Sequence, residues 1–331
     1  MKILYINTAS ADYVQDLTYS GLVKTFGYQN VIDYKWNMKY HIPYKKYPKN
    51  LGYTKHSFFS FFRSSDFKQI DLVFVGSSKP EAFHTYLEIV DKIPANVPVV
   101  FIDGGDREEI GMDLHVYGEE GLYEKALSKR AFDYIFKREY FADKTYAPNV
   151  APLPMSFNLD RHPRLPYGYK YDVSFWAVES HPLRTEVLKR LENRYDCRQN
   201  GTTRNQKFSQ YKRKGSFYLQ ELSSCKITIN VRGGGWDTMR YWEVPAVGGF
   251  MLSQKPGIVI PNNFEHEKET VFFQDDLSDL TDLCDYYLKN DVKRERIANA
   301  GLQKVREFHT DEKRVAYILN TLGKGRLHGQ Q

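Results

Sequence analysis

Short apolar runs alternate along the chain with longer amphipathic stretches. Runs rich in β-branched and aromatic residues, such as LVFVG and VPVVFID, are typical of parallel strands that helices cover on both faces. The order strand, helix, strand in the first half predicts right-handed crossovers and a parallel sheet. The elements predicted there are strands at Lys2–Ile6, Val31–Asp33, Leu72–Gly76, Val97–Asp103, Asp133–Phe136 and Val150–Pro154, and helices at Val14–Phe26 and Glu81–Lys92.

The alternation resumes after a polar segment, NLDRHPRLPYGYK, at residues 158–170. Two prolines and the lack of an apolar period predict that this segment links two domains, residues 1–157 and 171–310. A closing helix and a polar tail follow at residues 311–331. The elements predicted after the linker are strands at Asp172–Val178, Tyr195–Gln199 and Lys226–Val231, and helices at Pro182–Arg194, Phe217–Ser223, Leu277–Lys289, Val292–Phe308 and Asp311–Leu322.

The most informative stretch is Cys225–Ser253, which predicts a strand, a glycine loop and a helix. Gly233, Gly234 and Gly235 break the strand, and Asp237 is predicted to cap a helix that ends at Gly248-Gly249. Such a unit directs free backbone N–H groups and the positive end of a helix dipole at one spot, which suits a diphosphate. Arg232 adds a charge that can bind phosphate oxygens, although a tight turn needs glycines with or without a ligand.

Several motifs in this half resemble a known family. The string TMRYWEVPAVGGFMLS, a polar loop VFFQDDLSDL, the helix DYYLKNDVKRERIANAGLQKV and then FHTDEKR resemble the carboxyl-terminal half of CgeB-like (spore maturation protein) glycosyltransferases. That group is similar to glycosyltransferase group 1, which has the GT-B fold. The resemblance covers roughly Tyr171–Leu322. It implies an α/β protein of two Rossmann-like domains, with parallel sheets facing a central cleft and a terminal helix that crosses back to the first domain.

The resemblance also implies a function: transfer of a sugar from a nucleoside-diphosphate sugar to an acceptor hydroxyl. Glu243 matches the carboxylate that holds the ribose hydroxyls of the donor in that family. Many group 1 enzymes carry a second glutamate eight positions earlier, where this chain has Gly235. The retaining mechanism associated with the glutamate pair is therefore not implied.

Further donor-binding residues are predicted around this unit. His181 and Arg184 lie in the first turn of a helix that follows a strand, with Ser180 as the predicted cap, and this favours an anion. An exposed helix arginine is the alternative for Arg184. The predicted donor-binding residues are Glu243, Arg232, Gly233, Gly234, Gly235, Trp236, Asp237, Thr238, Arg240, His181 and Arg184.

Some of these residues have a structural alternative. Trp236 could lie over a base or sugar ring, or it could close the core. Arg240 and Glu243 are three residues apart on one helix and could pair with each other for about 0.2–0.5 kcal/mol. Pro245 removes an N–H within the same helix, so a kink is expected there.

Acceptor-side chemistry is predicted at the end of the strand Val97–Asp103. Asp103 and Asp106 flank a glycine turn, and in open parallel sheets ligands bind beyond the carboxyl ends of strands. These aspartates could supply a general base or a metal ligand, or they could simply form the turn. No divalent metal or other cofactor is expected to be required, because cationic side chains and a helix terminus can stabilise the departing diphosphate.

Composition bears on the number of domains, on the role of the cysteines and on membrane insertion. The 331 residues, 41% of them apolar, are enough for two domains with separate cores. Cys197, Cys225 and Cys284 lack the spacing of a disulfide framework or a zinc site. No apolar run of about 18 residues occurs, so a cytoplasmic protein without a membrane span is expected, with peripheral contact to an anionic membrane left open.

Two alternatives to the glycosyltransferase remain at this point. One is a non-catalytic protein that keeps the nucleotide cleft. The other is a GT-B enzyme that modifies DNA, because the basic segments 34–62 and 201–215 could follow a nucleic-acid backbone and the net charge of +6 permits it. A glycan or protein acceptor is favoured over DNA, since a mild excess of basic residues is ordinary for soluble proteins.

Overall fold

The computed structural model describes residues 1–43, 48–55, 66–161, 168–197 and 217–328, with side chains as far as residue 323. Its first sheet has six parallel strands in the order β2-β1-β3-β4-β5-β6. The chain runs from β1 outward to β2 and returns on the other side of β1, so the strand order reverses between β1 and β3. The strands are β1 (Ile3–Ile6), β2 (Val31–Tyr34), β3 (Leu72–Val75), β4 (Val99–Asp103), β5 (Tyr134–Lys137) and β6 (Val150–Pro152).

The second sheet has four parallel strands in the order β10-β9-β8-β7. Its central strand β8 pairs with β7 on one side and with β9 on the other. The strands are β7 (Tyr171–Ser174), β8 (Cys225–Asn230), β9 (Met251–Gln254) and β10 (Val271–Phe273).

Helices cover both sheets, as continuous apolar strands require. Alternate residues of β1 enter different cores: Ile3 and Tyr5 pack on one face of the sheet, and Leu4 and Ile6 on the other. The helices are α1 (Tyr13–Phe26), α2 (Met38–His41), α3 (Pro80–Ile89), α4 (Asp113–Val116), α5 (Leu122–Lys129), α6 (Pro182–Leu191), α7 (Phe217–Ser223), α8 (Met239–Ala246), α9 (Leu280–Lys289), α10 (Asp291–Phe308) and α11 (Asp311–His328).

The last helix packs against the first. The carboxylate of Asp311 accepts hydrogen bonds from the Ser20 hydroxyl at 2.8 Å and from the Lys24 ammonium at 3.1 Å. A Cβ at Gly21 would collide with the Asp311 carbonyl oxygen, so the glycine permits close approach of the two helices. Val315 of α11 is completely buried in the same core as β1.

Some predicted elements differ from the structure. Tyr195 and Cys197 are not in a strand, and the rest of the strand predicted at Tyr195–Gln199 falls outside the described residues. Val271–Phe273 is an edge strand, although the sequence indicated a loop there. Pro245 lies in the last turn of α8, which ends one residue later. Of the predicted linker, residues 158–161 and 168–170 are described, whereas both prolines fall outside.

Nucleic-acid binding by the basic segments 34–62 and 201–215 was the less favoured alternative to aromatic residues that pack on the sheet, and only part of these segments is described. Tyr40, in α2, is completely buried and stacks on Tyr19 with ring centroids 4.0 Å apart. This aromatic residue therefore packs into the core. The loop at residues 201–215 lies outside the described residues. No helix in the described part of the chain is long and apolar enough to cross a membrane.

Candidate active-site cleft

A cleft of about 550 Å³ lies where the carboxyl ends of the two sheets face each other. One wall comes from the loops after β1, β3 and β4, which include the switch point between β1 and β3 where open parallel sheets bind ligands. The other wall comes from the loops after β7 and β8 and from the start of α8. Residues of the first wall include Asp12, Tyr13, Ser78, Lys79, Gly104, Gly105, Asp106, Asp113, Tyr117 and Arg138, and those of the second include Trp176, Ala177, Val178, Arg184, Tyr218, Gly233, Gly234, Gly235, Asp237, Thr238, Met239, Arg240 and Glu243.

Arg240 is the cation of this cleft with the most unused hydrogen-bonding capacity. Its side chain is 8% exposed, and its Nε and Nη1 atoms have no hydrogen-bond partner among the described residues. The guanidinium carbon lies 5.8 Å from the centre of the Phe175 ring. A buried guanidinium with two unpaired nitrogen atoms is costly, so this geometry favours an anionic ligand.

Glu243 lies one turn further along α8 and is 2% exposed. The hydroxyl of Tyr218 donates to its Oε2 at 3.2 Å, and burial followed by the charge of Glu243 raises the pKa of Tyr218. Within the described chain no ion pair joins Glu243 to Arg240. The structural alternative, a simple helix pair between these two residues, is therefore not what the structure shows.

The glycine loop is held by a glutamate that follows β5 of the first sheet. Glu139 is fully buried, and its carboxylate accepts the backbone N–H of Trp236 at 2.8 Å and that of Asp237 at 3.0 Å. A Cβ at Gly235 would lie 2.5 Å from the Oε1 of Glu139. The sequence predicted that free N–H groups of this loop would bind a phosphate. Those of Trp236 and Asp237 instead donate to the carboxylate of Glu139.

The tripeptide Lys137-Arg138-Glu139 at the end of β5 connects the two walls. Lys137 binds the Oδ2 of Asp103 at 3.0 Å, and both side chains are almost completely buried. Arg138 forms an ion pair with Asp106, whose side chain is 55% exposed in the cleft. Asp103, predicted as catalytic, does not line the cleft and anchors the turn; Asp106 does line it.

Arg184 and His181 have structural partners. The guanidinium of Arg184 donates to the carbonyl oxygens of Arg232 at 2.7 Å, Val178 at 2.8 Å and Val231 at 3.1 Å, which fixes the end of β8. Burial and the charge of Arg240 lower the pKa of Arg184 to about 9. Arg184 is therefore not the exposed helix arginine that the sequence left as the alternative, and although most of its donors are used, it lines the cleft and its predicted role as a phosphate ligand stays a prediction.

His181, and not Ser180, caps α6, because its Nδ1 accepts the N–H of Leu183 at 3.2 Å. Burial and the nearby charges of Arg232 and Arg184 lower the pKa of His181. A neutral imidazole that accepts a cap hydrogen bond is not a cation for a phosphate.

Arg232 and Trp236 stack on each other, with the guanidinium carbon 4.2 Å from the ring centre. A Cβ at Gly257 would lie 3.0 Å from the Trp236 ring, so the ring is also close to this glycine. Neither side chain lines the cleft. This pair therefore packs beside the glycine loop and outside the cleft lining.

The cap of α8 is Thr238, so the prediction that Asp237 caps this helix is wrong. The carboxylate of Asp237 instead accepts hydrogen bonds from the Trp242 indole at 2.7 Å and the Met155 N–H at 2.5 Å. Burial raises its pKa to about 6. The Thr238 hydroxyl is also engaged, since it donates to Asn230 at 2.8 Å.

The sequence did not indicate Glu139, Tyr218 or Asp113 as site residues. Glu139 lies three residues after a predicted strand, so the rule that ligand sites lie beyond strand ends could have found it. Asp113 lines the cleft, and burial followed by the charge of Asp103 raises its pKa. In the described ranges no group of three or more His, Cys, Asp or Glu side chains is placed to hold a metal ion.

Comparisons with known proteins agree with this architecture. A family model described as glycosyl transferase-like matches residues 184–320. The structure is similar to Anabaena HepE in complex with UDP-glucose, with a TM-score of 0.61 and 11% identity over 98% of this chain and 100% of that one. No curated protein sequence matches the chain.

Two further structures share the fold. Sucrose-phosphate synthase from Thermosynechococcus elongatus has a TM-score of 0.54 and 10% identity over 100% of this chain and 98% of that one. An alpha-glucosyltransferase in complex with UDP-glucose and DNA containing an abasic site has a TM-score of 0.53 and 11% identity over 96% and 97%. The chain thus has the α/β GT-B fold predicted from the sequence, and its carboxyl-terminal part matches the glycosyl transferase-like family.

Proposed function

We propose that this protein transfers a sugar from a nucleoside-diphosphate sugar, bound in the cleft, to an acceptor hydroxyl. The observation that carries the proposal is Arg240, a buried guanidinium at the cleft with two nitrogen atoms that have no hydrogen-bond partner among the described residues. Glu243 lies on the same helix and faces the same space. A cation for a diphosphate and a carboxylate for a ribose are thereby brought together.

The diphosphate is the leaving group, and its negative charge grows as the glycosidic bond breaks. Arg240 and the first N–H groups of α8 stabilise this charge, because the first N–H groups of any helix lack partners within the helix. The side chain of Thr238 does not cap them. Since Glu139 already occupies the N–H groups of Trp236 and Asp237, the diphosphate binds on the α8 side of the loop. Cationic groups of the protein thus take the place of a divalent metal in this proposal.

A uridine nucleotide is the first candidate donor. HepE and the DNA-bound alpha-glucosyltransferase are described in complex with UDP-glucose, and both share the fold of this chain. The motifs in residues 171–322 support a CgeB-like enzyme within this group. A glycan or protein hydroxyl is the proposed acceptor, and the cytoplasm is the proposed location.

The test compares Arg240, which lines the cleft, with Arg232, which does not. Isothermal titration calorimetry with UDP, GDP, dTDP and CDP identifies the nucleotide, and release of the nucleotide from a panel of sugar nucleotides measures turnover. Arg240→Met should weaken nucleotide binding at least tenfold, because a charge-assisted hydrogen bond is worth about 1.5–3 kcal/mol. Arg232→Met is the control and should change affinity less than threefold, since Arg232 does not line the cleft.

The outcomes separate this proposal from its alternatives. Absence of both nucleotide binding and donor consumption, hydrolysis included, would sink the proposal. Nucleotide binding without donor consumption, even in a cell extract that supplies acceptors, would favour a non-catalytic binding protein. Retardation of duplex DNA in a gel shift that disappears as salt rises would redirect the acceptor to DNA.

A further inference from the structure

We infer that Asp113 is the general base that takes the proton from the acceptor hydroxyl. This inference rests on the proposed function. In the step, the acceptor oxygen forms a bond to the anomeric carbon while its proton passes to the Asp113 carboxylate. The bond from that carbon to the diphosphate oxygen breaks, and its electron pair leaves with the diphosphate. The proton is later released to water, so the aspartate is regenerated.

The neighbouring aspartates on this side of the cleft are engaged elsewhere. Asp12 caps α1 by accepting the N–H of Gln15 at 3.0 Å, and its other oxygen accepts the Ser77 hydroxyl at 2.6 Å. Asp103 is buried in its ion pair with Lys137. These contacts occupy the carboxylate oxygens of Asp12 and Asp103 that would have to accept the proton.

Asp106 reaches the cleft but is bound by Arg138. Asp113 differs from these residues, because its carboxylate has no hydrogen bond or ion pair in any described part of the chain. Its position is nevertheless defined. A Cβ at Gly105 would lie 2.5 Å from the Asp113 Cγ, so the carboxyl group packs directly against the glycine turn at the end of β4.

The surrounding charges suit a base. Burial and the negative charges of Asp103 and Asp12 raise the pKa of Asp113, whereas Lys79 and Arg107 oppose this shift. A carboxylate with a raised pKa accepts a proton more readily than an ordinary aspartate, which suits a general base. The residue is partly exposed and lines the cleft, so an acceptor hydroxyl can reach it.

The test measures kcat, nucleotide affinity and pH dependence on one set of variants, with the sugar nucleotide that the wild-type protein consumes. Asp113→Asn should lower kcat at least 100-fold, the lower end of the usual effect of general-base catalysis. The Kd for the nucleotide should stay within twofold, and the acidic limb of the kcat profile should disappear. Asp113→Glu should restore part of the activity and that limb. Glu109→Gln, an exposed carboxylate nearby, is the control and should change neither quantity.

The result that overturns the inference is a kcat of Asp113→Asn within threefold of the wild-type value. A melting temperature near that of the wild-type protein rules out misfolding as the cause of a loss. If the wild-type protein itself neither binds nor consumes any sugar nucleotide, the proposed function fails and this inference fails with it. Wild-type turnover with a fully active Asp113→Asn variant overturns the assignment of Asp113 and leaves the proposed function intact.

Discussion

The carboxylate of Glu139 accepts the backbone N–H of Asp237 at 3.0 Å across the boundary between the two sheets. The same carboxylate accepts the N–H of Trp236, so the glycine loop is shaped by a residue that follows β5 of the first sheet. We expect Glu139→Ala to leave two buried N–H groups without acceptors, at about 1–3 kcal/mol each. Urea unfolding measures this loss. Nucleotide affinity should also fall, because the loop loses its support.

The control for this variant is Glu108→Gln. Glu108 is an exposed carboxylate that pairs with Lys144, and exposed pairs contribute about 0–1 kcal/mol. If the two variants showed the same stability, the role given to Glu139 would be wrong.

Gly235→Ala tests the close packing of the same carboxylate. Its Cβ would lie 2.5 Å from the Oε1 of Glu139 and 2.9 Å from the Nη2 of Arg138, so a loss of about 1–3 kcal/mol is expected. The double variant with Glu139→Ala should be less destabilised than the sum of the single variants, because the clash is removed. Thermal and urea unfolding of the wild-type protein, the two single variants and the double variant give the free energies of this double-mutant cycle. Gly168→Ala is the control, since a Cβ there meets no atom within 4 Å.

Glu243→Ala tests the ribose assignment. Loss of a carboxylate that accepts two ribose hydroxyls should weaken nucleotide binding at least tenfold, since 1.4 kcal/mol is a factor of ten. Tyr218→Phe removes the hydrogen bond that the Tyr218 hydroxyl donates to this carboxylate and should change the affinity less than threefold. Calorimetry and melting temperatures on both variants separate binding from stability. Normal nucleotide binding by Glu243→Ala would disprove the assignment.

The pH dependence of stability tests the burial of His309. Its Nε2 lies 3.0 Å from the Asn262 carbonyl oxygen, and burial, with the charge of Arg314, lowers its pKa to about 3. Between pH 6.5 and about pH 3 the unfolded chain binds a proton that the folded chain does not, so this residue lowers the unfolding free energy as the pH falls. Asp16 and Asp237, with pKa values raised to about 6 by burial, act in the opposite direction.

A variant isolates the histidine from the two aspartates. His309→Gln should lower the unfolding free energy less at pH 5 than at pH 7, and the two losses should differ by about 2 kcal/mol. The reason is that the variant lacks the imidazole whose protonation is suppressed in the folded protein. Urea unfolding of both proteins at each pH gives this difference. Equal costs at both pH values would show that His309 titrates normally in the folded protein.

The strands could be predicted where they are long and buried on both faces. β3 and β4 are continuous apolar runs because helices cover each side of the sheet. β10 has three residues at the edge of its sheet and is followed by a polar stretch, so the pattern gave too little signal for a strand. The strand predicted near Tyr195 shows the opposite error, because a short mixed sequence has no decisive period.

Residues of the candidate site could be predicted only where their position depends on neighbours along the sequence. Glu243 was predicted from the family resemblance and Arg240 from its place on the same helix after the glycine loop, and both residues line the cleft. Glu139 lies three residues after a predicted strand and could have been named from that position, but its contact with the glycine loop, like the position of Asp113 in the cleft, depends on the packing of distant segments. The same limit explains Asp103 and Arg184, whose partners Lys137 and Arg232 are distant in sequence and become neighbours only in the folded chain.

The contact between Asp311 and Ser20 sets the order in which the chain can finish folding. α11 is synthesised long after α1, yet both contribute to one buried core. At the usual rate of about 5–20 residues per second, the apolar face of α1 stays uncovered for roughly 15–60 seconds while the intervening chain is made. The amino-terminal domain therefore completes its core after the carboxyl-terminal domain has been synthesised, and a ribosome-bound chain is exposed to aggregation and to chaperones throughout that interval.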